Sequence, residues 1–515
     1  LLNDLPHYAG ILVYLSTARH KLVRKLICKF IRKIKMKFRK PLLVLIVTGL
    51  FSANAFASID LIAIGTLSGS TDLSGLTAPL ENGLTGNILG GMGSGFAWAG
   101  GNTFIATPDR GPNATTYNTL VNDTSSYISR FQTLTMNLTA NTSAGLAFNL
   151  TPTLTATTLL SSATPLNYGT GAGLGNKIDG VTPIGSGAPS INTSTTNYFT
   201  GRSDNYAAGL STNPNNARLD PEGVRVSNDG KSIFVSDEYG PYVYQFNRAT
   251  GERIKSFELP TNLAIANLSA VGASEIANNT TGRVANKGME GLAITPDGKT
   301  LVGIMQAPLL QDDKKQVRIV TIDIATGAIK EIGYRLTTGS GVSEIVALND
   351  HQFIVDERDG NGLGAGNATT SKGLYQIDIT GATDISNVVK MTSTTPAVNK
   401  VLFQDLVGLF VANGISNSMI PAKIEGLAFG EDVLSGGIMK HTLFITNDND
   451  FVAGVAGDNK FYVLSFTDAD LATGFSYTAQ NLSVAAVPEP ETFALMLAGL
   501  GLIGFAARRK QKASA

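Results

Sequence analysis

Asp220-Pro221-Glu222-Gly223-Val224-Arg225-Val226-Ser227-Asn228-Asp229-Gly230-Lys231-Ser232-Ile233-Phe234-Val235-Ser236-Asp237-Glu238-Tyr239-Gly240-Pro241 is the stretch whose reading decides the fold. Two apolar runs flank the turn sequence Asn228-Asp229-Gly230-Lys231, which makes an antiparallel hairpin. The chain ends of a hairpin meet at the edge opposite its turn. Glu222 and the pair Asp237/Glu238 therefore share one edge of the sheet.

The same order recurs along the chain. Met289-Glu290-Gly291-Leu292-Ala293-Ile294 leads through Pro296-Asp297-Gly298-Lys299 into 300–304. Ser343-Glu344-Ile345-Val346-Ala347 leads to Phe353-Ile354-Val355-Asp356-Glu357-Arg358, and Ile424-Glu425-Gly426-Leu427-Ala428-Phe429 to Leu443-Phe444-Ile445-Thr446-Asn447-Asp448. The earliest copy runs from Ser94-Gly95-Phe96-Ala97-Trp98 to Phe104-Ile105-Ala106-Thr107-Pro108-Asp109-Arg110-Gly111-Pro112, with Ser94 in place of the first carboxylate. Two further strands follow the hairpins, at 242–246 and 253–259 in one copy and at 317–324 and 328–336 in another. A fixed repeat of four antiparallel strands describes a propeller blade. The expected fold is all-β, a propeller of about five to six four-stranded blades. Short alternating strands also suit a β-sandwich, but the repeated order of Glu-Gly, hairpin and acidic strand end favours the propeller. Residues 59–67 have no hairpin partner nearby and are expected to close the ring as the outer strand of the last blade. A sixth blade has room in 113–215, a Thr-, Asn-, Ser- and Gly-rich span in which 131–138 alternate like a strand. Residues 398–423 read as an inserted loop or short helix.

The two ends read differently. Met36-Lys37-Phe38-Arg39-Lys40, the apolar run 42–50 and Ala55-Phe56-Ala57 have the three parts of a secretory signal, so 36–57 is expected to be removed and 1–35 to be translated upstream sequence. At the other end Pro488-Glu489-Pro490 precedes the apolar run 492–507 and Arg508-Arg509-Lys510. This run is short of the roughly 20 residues of a comfortable span. The segment 487–515 resembles the PEP-CTERM sorting signal of Gram-negative bacteria. That resemblance implies export and sorting machinery as partners, transient anchoring through 492–507, and delivery to the periplasm, outer envelope or extracellular matrix. The domain left between the signals is 58–486.

Of the 40 basic and 40 acidic residues, 15 basic and three acidic ones lie in 1–57 and 488–515. That leaves 25 basic and 37 acidic residues in 58–487, a net of −12. Such a domain does not favour nucleic acid, and cation binding suits it. The single cysteine, Cys28, precedes the signal cleavage site, so the domain has neither disulfides nor thiol ligands. His351 and His441 alone remain beyond residue 57, and each reads as a surface residue. No Gly-x-Ser-x-Gly elbow or P-loop is present, which leaves oxygen chemistry.

Glu222, Asp237, Glu238, Glu290 and Glu425 are the catalytic candidates. Glu222, Asp237, Glu290, Glu344, Asp356, Glu425 and Asp448 are candidate ligands of a hard cation such as Ca²⁺, because crowded carboxylates repel unless protonated or bridged. Glu357 stands beside them. Arg110, Arg218, Arg225 and Arg358 are candidates for holding a phosphate or carboxylate. Each acid can equally cap backbone N–H groups at a strand end.

Asp220-Pro221-Glu222-Gly223, Asp237-Glu238-Tyr239-Gly240-Pro241, Met289-Glu290-Gly291-Leu292-Ala293, Ile424-Glu425-Gly426-Leu427-Ala428 and Asp109-Arg110-Gly111-Pro112 resemble the phytase-like family, "esterase-like activity of phytase". The resemblance covers roughly 70–470. It implies a secreted propeller and hydrolysis of phosphate or carboxylate esters. One copy departs from the pattern, with Met305-Gln306-Ala307-Pro308 where an acid would stand. Two other functions fit the residues: a non-catalytic propeller with structural Ca²⁺ that binds matrix polysaccharide, and a sugar lactonase, whose propellers have a similar Glu-Gly strand opening. Mass spectrometry of exported protein should find a chain of roughly 58–487. A C-terminus at Ala515 would contradict the sorting reading, and an N-terminus upstream of Met36 the signal reading.

Overall fold

The computed structural model describes residues 59–483 apart from 113–117, 123, 210 and 338–340. The upstream segment, the signal and the sorting segment lie outside the described residues.

Five antiparallel sheets, each with four strands in radial order, form the five blades of a β-propeller. From the axis outward, blade 1 is Gly95–Trp98, Thr103–Thr107, Arg130–Ala140 and Phe148–Leu159. Blade 2 is Pro221–Val226, Ser232–Asp237, Tyr242–Asn247 and Arg253–Glu258, and blade 3 is Met289–Ile294, Thr300–Met305, Gln316–Asp323 and Ile329–Arg335. Blade 4 is Gly341–Ala347, Gln352–Arg358, Lys372–Asp378 and Lys400–Asp405. Blade 5 is Lys423–Phe429, Ile438–Asp448 and Asn459–Phe466, completed on its outside by Asp60–Leu67. That strand pairs antiparallel with its neighbour from Asp60↔Ser465 to Leu67↔Asn459, so the N-terminal strand closes the ring as the sequence suggests.

Each blade is covered on both faces by its neighbours. The inner strands are therefore buried at successive positions, as in Pro221–Val226 and Met289–Ile294, rather than at alternate ones. Apolar side chains fill the gaps between blades; Val224, Val235, Tyr242 and Phe246 of blade 2 meet Ala97, Ile105 and Phe131 of blade 1. Inner strands of adjacent blades approach backbone to backbone. A Cβ on Gly223 would lie 2.5 Å from the Leu292 amide nitrogen, and one on Gly95 would lie 2.1 Å from the Glu222 carbonyl oxygen. The glycine of the Glu-Gly motif is thus a packing requirement at the axis.

No sixth blade exists among the described residues. The strands within 113–215 are the outer half of blade 1 and the short ribbon Ser161–Ser162/Asn197–Tyr198, and the rest is irregular. Buried ion pairs tie these loops down, among them Arg130–Asp72 at 2.5 Å and Arg202–Asp204 at 2.6 Å. Residues 398–423 do contain a short helix, Leu406–Ala412, capped by the Asp405 carboxylate. They also supply the outer strand of blade 4, whose largely exposed side chains leave no alternating signal.

A Gly223→Val substitution should destabilise the domain by about 1–3 kcal/mol or more through overpacking against blade 3. Thermal unfolding of this variant beside Gly454→Ala, a position with open space around its Cβ and an ordinary backbone conformation, measures the difference.

Candidate active site

Hairpin registers show which residues of the five blades are equivalent. Gly95 pairs with Thr107, Gly291 with Ile304, Glu344 with Asp356 and Leu427 with Ile445. Equivalent positions on the inner strands are therefore Ser94, Glu222, Glu290, Ser343 and Glu425. At or just past the ends of the second strands they are Asp109, Glu238, Gln306, Arg358 and Asp448. Glu344 falls one place later than the sequence repeat suggests, at the glycine position, and Ser343 stands level with Glu222.

These two tiers form one mouth. A cavity of about 260 Å³ is lined by Asp109, Glu222, Glu238, Glu290, Gln306, Arg358 and Glu425, together with Arg110, Lys423 and Lys287. Four of the five catalytic candidates, Glu222, Glu238, Glu290 and Glu425, meet there. Gln306 stands level with the acids Asp109, Glu238 and Asp448, and its Nε2 donates to Glu290 Oε1 at 2.7 Å. Glu290 Oε2 is buried without a hydrogen-bond partner. Single carboxylate oxygens of Asp220, Glu222 and Glu238 come within 4.8 Å of one another, as do those of Asp109, Asp448 and Asp450.

The other candidates are placed elsewhere. Asp237 turns to the backbone and accepts from the amides of Asp220 at 3.1 Å and Tyr239 at 3.0 Å, holding the Asp-Glu-Tyr-Gly turn. Glu344 lies deeper in the channel, accepting from the Leu292 and Ile345 amides at 2.9 Å each and pairing with Arg225 at 3.1 Å. Asp356 is fully buried with neither oxygen bonded. Glu357 accepts from Tyr334, Lys400 and the Thr337 amide. Asp448 lies beside the mouth but pairs with Lys423 at 2.6 Å, and Lys423 also pairs with Asp450 at 2.6 Å.

Two of the four arginines reach the cavity. Arg110 donates its amide and Nη1 to Asp220, at 2.8 and 2.9 Å. Arg358 contacts Ser343 Oγ and Glu425 at 2.5 Å each. Arg218 is packed over the rings of Tyr206 and Tyr239 and faces Glu275, and Arg225 is consumed by carbonyls across the axis. Neither can offer a substrate its guanidinium without breaking the core. Sequence reading passed over Lys423, Asp109 and Asp220 as site residues. The repeat register would have found Asp109, level with Glu238, whereas no sequence signal marks Lys423.

Burial sets the protonation of the mouth. Glu222 is pushed well above its ordinary range by burial, then by Glu290, Asp220, Glu238 and Glu425. Glu238 follows for the same reasons, with Glu290 and Asp220 as its main neighbours. Glu290 is raised to about 8 by burial and by Glu425. Asp109 is raised by burial and by Asp448. Burial opposes the charge of Lys423, but Asp448, Glu425, Asp450 and Asp109 outweigh it and hold the ammonium. Without a bound cation this mouth keeps protons at neutral pH.

The chain belongs to the family "Esterase-like activity of phytase", whose model matches residues 87–451. It also carries a PEP-CTERM protein-sorting motif at 486–510, and such motifs direct export to the envelope or beyond it. An uncharacterized secreted protein of Arthroderma benhamiae is 26% identical over 302 residues, covering 50% of this chain and 58% of that protein. Among solved structures, the periplasmic gluconolactonase of Pseudomonas aeruginosa aligns at 12% identity and a TM-score of 0.29, over 78% of this chain and 95% of that one. A putative 6-phosphogluconolactonase from Bacteroides uniformis aligns at 14% and 0.27, over 71% and 82%. Likenesses this distant carry no argument about chemistry.

The raised carboxyls fix a pH dependence. Glu290 and Asp356 are raised to about 8, and Asp237, Glu344 and Asp448 to about 7, each first by burial. Below the unfolded values near 4 both states hold these protons. Above them the unfolded chain releases protons that the folded protein still holds, so stability falls as pH rises from about 4.5 to 8. Calorimetry in chelator should show the melting temperature dropping across that window, and Ca²⁺ should restore more at pH 8 than at pH 5. A flat or rising profile would contradict the placement of these groups.

Proposed function

We propose that this protein is an exported, cation-assisted hydrolase of anionic esters, phosphoesters above all. The observation that carries the reading is the juxtaposition at one mouth of the Asp220/Glu222/Glu238 oxygens with Arg110, Arg358 and Lys423. Three converging, buried carboxylates are a donor set that fits a hard divalent cation such as Ca²⁺, with Asp220, Glu222 and Glu238 to hold it. When bound, the ion would polarise the ester and offset the charge developing on it. The Asp109/Asp448/Asp450 group suits an ion less well, because Lys423 already neutralises two of its members.

The remaining roles fall to side chains of the mouth. Arg358, held by Ser343 and Glu425, presents a fixed guanidinium to an anionic substrate group. Lys423 adds a second positive charge on the next blade. Glu290 holds a proton at neutral pH on an oxygen with no partner, so it can deliver that proton to a leaving-group oxygen. Gln306 fixes its orientation through the other oxygen.

The test is turnover of p-nitrophenyl phosphate, phytate and p-nitrophenyl esters with Ca²⁺ and with chelator. Glu222→Gln should abolish the Ca²⁺-dependent activity. Glu290→Gln should lower kcat by about 10²–10⁴-fold and remove an activity loss on the alkaline side of pH 8. Turnover of lactones but not phosphoesters would select the lactonase instead. Ca²⁺ stabilisation with no turnover above the Glu222→Gln control would select the binding propeller.

A further inference from the structure

At the mouth, blade 5 is a counterpart of blade 2. Pro221↔Asp237 in one hairpin corresponds to Ile424↔Asn447 in the other. Glu222 and Glu425 are therefore equivalent, and so are Glu238 and Asp448. Asp220 precedes Glu222 by two residues, as Lys423 precedes Glu425. Each stands across its hairpin from the second acid: the Glu238 amide donates to the Asp220 carbonyl at 3.0 Å, and Lys423 pairs with Asp448. The three positions that hold three acids in blade 2 thus hold Lys423, Glu425 and Asp448 in blade 5.

The ammonium is surrounded much as an ion would be. Its Nζ lies 2.6 Å from Asp448 Oδ2 and 2.6 Å from Asp450 Oδ1. That is the long end of the roughly 2.3–2.6 Å of a Ca²⁺–oxygen bond. Asp109 completes the group, with one oxygen of each acid within 4.8 Å of the others. Ligands about 2.4 Å from a common centre span such a spacing. Lysine suits this place because its ammonium is a compact point charge with three donors. Two of those donors go to Asp448 and Asp450, and the third has no acceptor among the described residues. Lys423 lines the mouth cavity and its side chain is 32% exposed, so the third donor is open to a ligand oxygen.

The backbone is shaped to bring the acids there. Asp450 and Phe451 are both left-handed, with φ of 50° and 59°. That conformation is costly for a residue with a side chain, most of all a bulky one. The Phe451 ring is held against Tyr127, centroids 5.1 Å apart, and the Asp450 amide donates to Asp448 Oδ1 at 2.7 Å. The turn presents the Asp450 carboxylate to the ammonium at a conformational cost.

We propose that the Lys423 ammonium takes the place of a second divalent cation at the mouth: blade 2 binds its cation from solution, and blade 5 carries one in its sequence. Its chemical use rests on the hydrolase reading above, its place among the acids on geometry alone. A phosphoryl or carboxyl group offers two oxygens, one for the exchangeable ion and one for the ammonium. A chelator strips the first positive centre and leaves the second.

Ca²⁺ uptake by the full chain, counted by isothermal titration at pH 8, tests the proposal. Lys423→Ala should take up one more ion per chain than the unaltered protein, and Lys423→Ala/Asp448→Asn should lose that ion again. An equal count in Lys423→Ala would overturn the proposal. Turnover of p-nitrophenyl phosphate by Lys423→Ala should fall by about 10²–10³-fold while only the blade 2 site is filled, then recover as the extra ion binds. A lysine that merely braces the hairpin gives no such recovery, and its absence would count against the ammonium as a cation's substitute. Should Lys423→Ala fail to fold, Asp448→Asn/Asp450→Asn decides with Lys423 in place. Its ion count should match the unaltered chain, and the loss of an ion would overturn the proposal, because the acids would then bind one despite the ammonium. Glu222→Gln reports the blade 2 ion separately. A chain that turns over no ester, or that keeps its full ion count in Glu222→Gln, sinks the hydrolase reading alone, and the Lys423 counts still decide what the ammonium replaces.

Discussion

Arg225 and Glu344 meet across the axis, and the ring is organised around that contact. Arg225 belongs to blade 2. Its guanidinium donates to the Phe96 carbonyl of blade 1 at 2.6 Å and to the Ile345 carbonyl of blade 4 at 2.8 Å. Glu344 returns the contact at 3.1 Å and accepts the Leu292 amide of blade 3. Two side chains thus engage four blades at a point where no regular hydrogen-bond ladder connects them. Both are almost wholly buried, so the attraction works against a large desolvation cost, and losing one partner would strand the other. The pair is better understood as setting blade register than as adding net stability.

This contact also divides the channel. Above it lie the carboxyls of the mouth, and below it lies a small cavity of about 40 Å³ bordered by Tyr477, Thr478 and Gln480. The mouth gathers like charges where burial already penalises them, and it is fully relieved only by protons or by a cation. A site of this kind is costly to the fold in the absence of its ligand. Its cost is carried by the interblade packing, which is apolar and continuous around the ring.

Much of the architecture was legible in the sequence, because a propeller repeats one hairpin whose turn and glycine positions are chemically constrained. The closing strand could be read from Asp60–Leu67 because an apolar run without a neighbour must find a distant one. The mouth was legible as a set of acids but not residue by residue. Asp237 has the same side chain as a metal ligand, and only its orientation toward two backbone amides makes it a turn cap. Glu344 resembles Glu222 in local sequence, yet a one-residue shift of register moves it from the mouth to the axis. Arg225 was misread because an arginine committed to carbonyls and one committed to a substrate look alike until the fold brings blades 1 and 4 to it. The outer strand of blade 4 was illegible for the opposite reason: Val401, Leu402 and Phe403 run together without alternation, two of them exposed, and the place of Lys400–Asp405 comes from pairing with Lys372–Asp378.

Closure of the ring by its first strand has a consequence for the order of assembly. Asp60–Leu67 is synthesised before every other strand of the propeller, yet its partner, Asn459–Phe466, comes last. Blade 1 covers one face of the first strand early, through Phe104, Leu134 and Leu150, but for nearly the whole of synthesis its hydrogen-bonding edge is unpaired. Such a contact has the greatest sequence separation available in the domain, and pairings of that kind form slowly. Until they form, the exposed edge invites strands of other molecules. The half-made protein is therefore the aggregation-prone species, and its safe handling depends on keeping the chain unfolded or chaperoned until the fifth blade is complete.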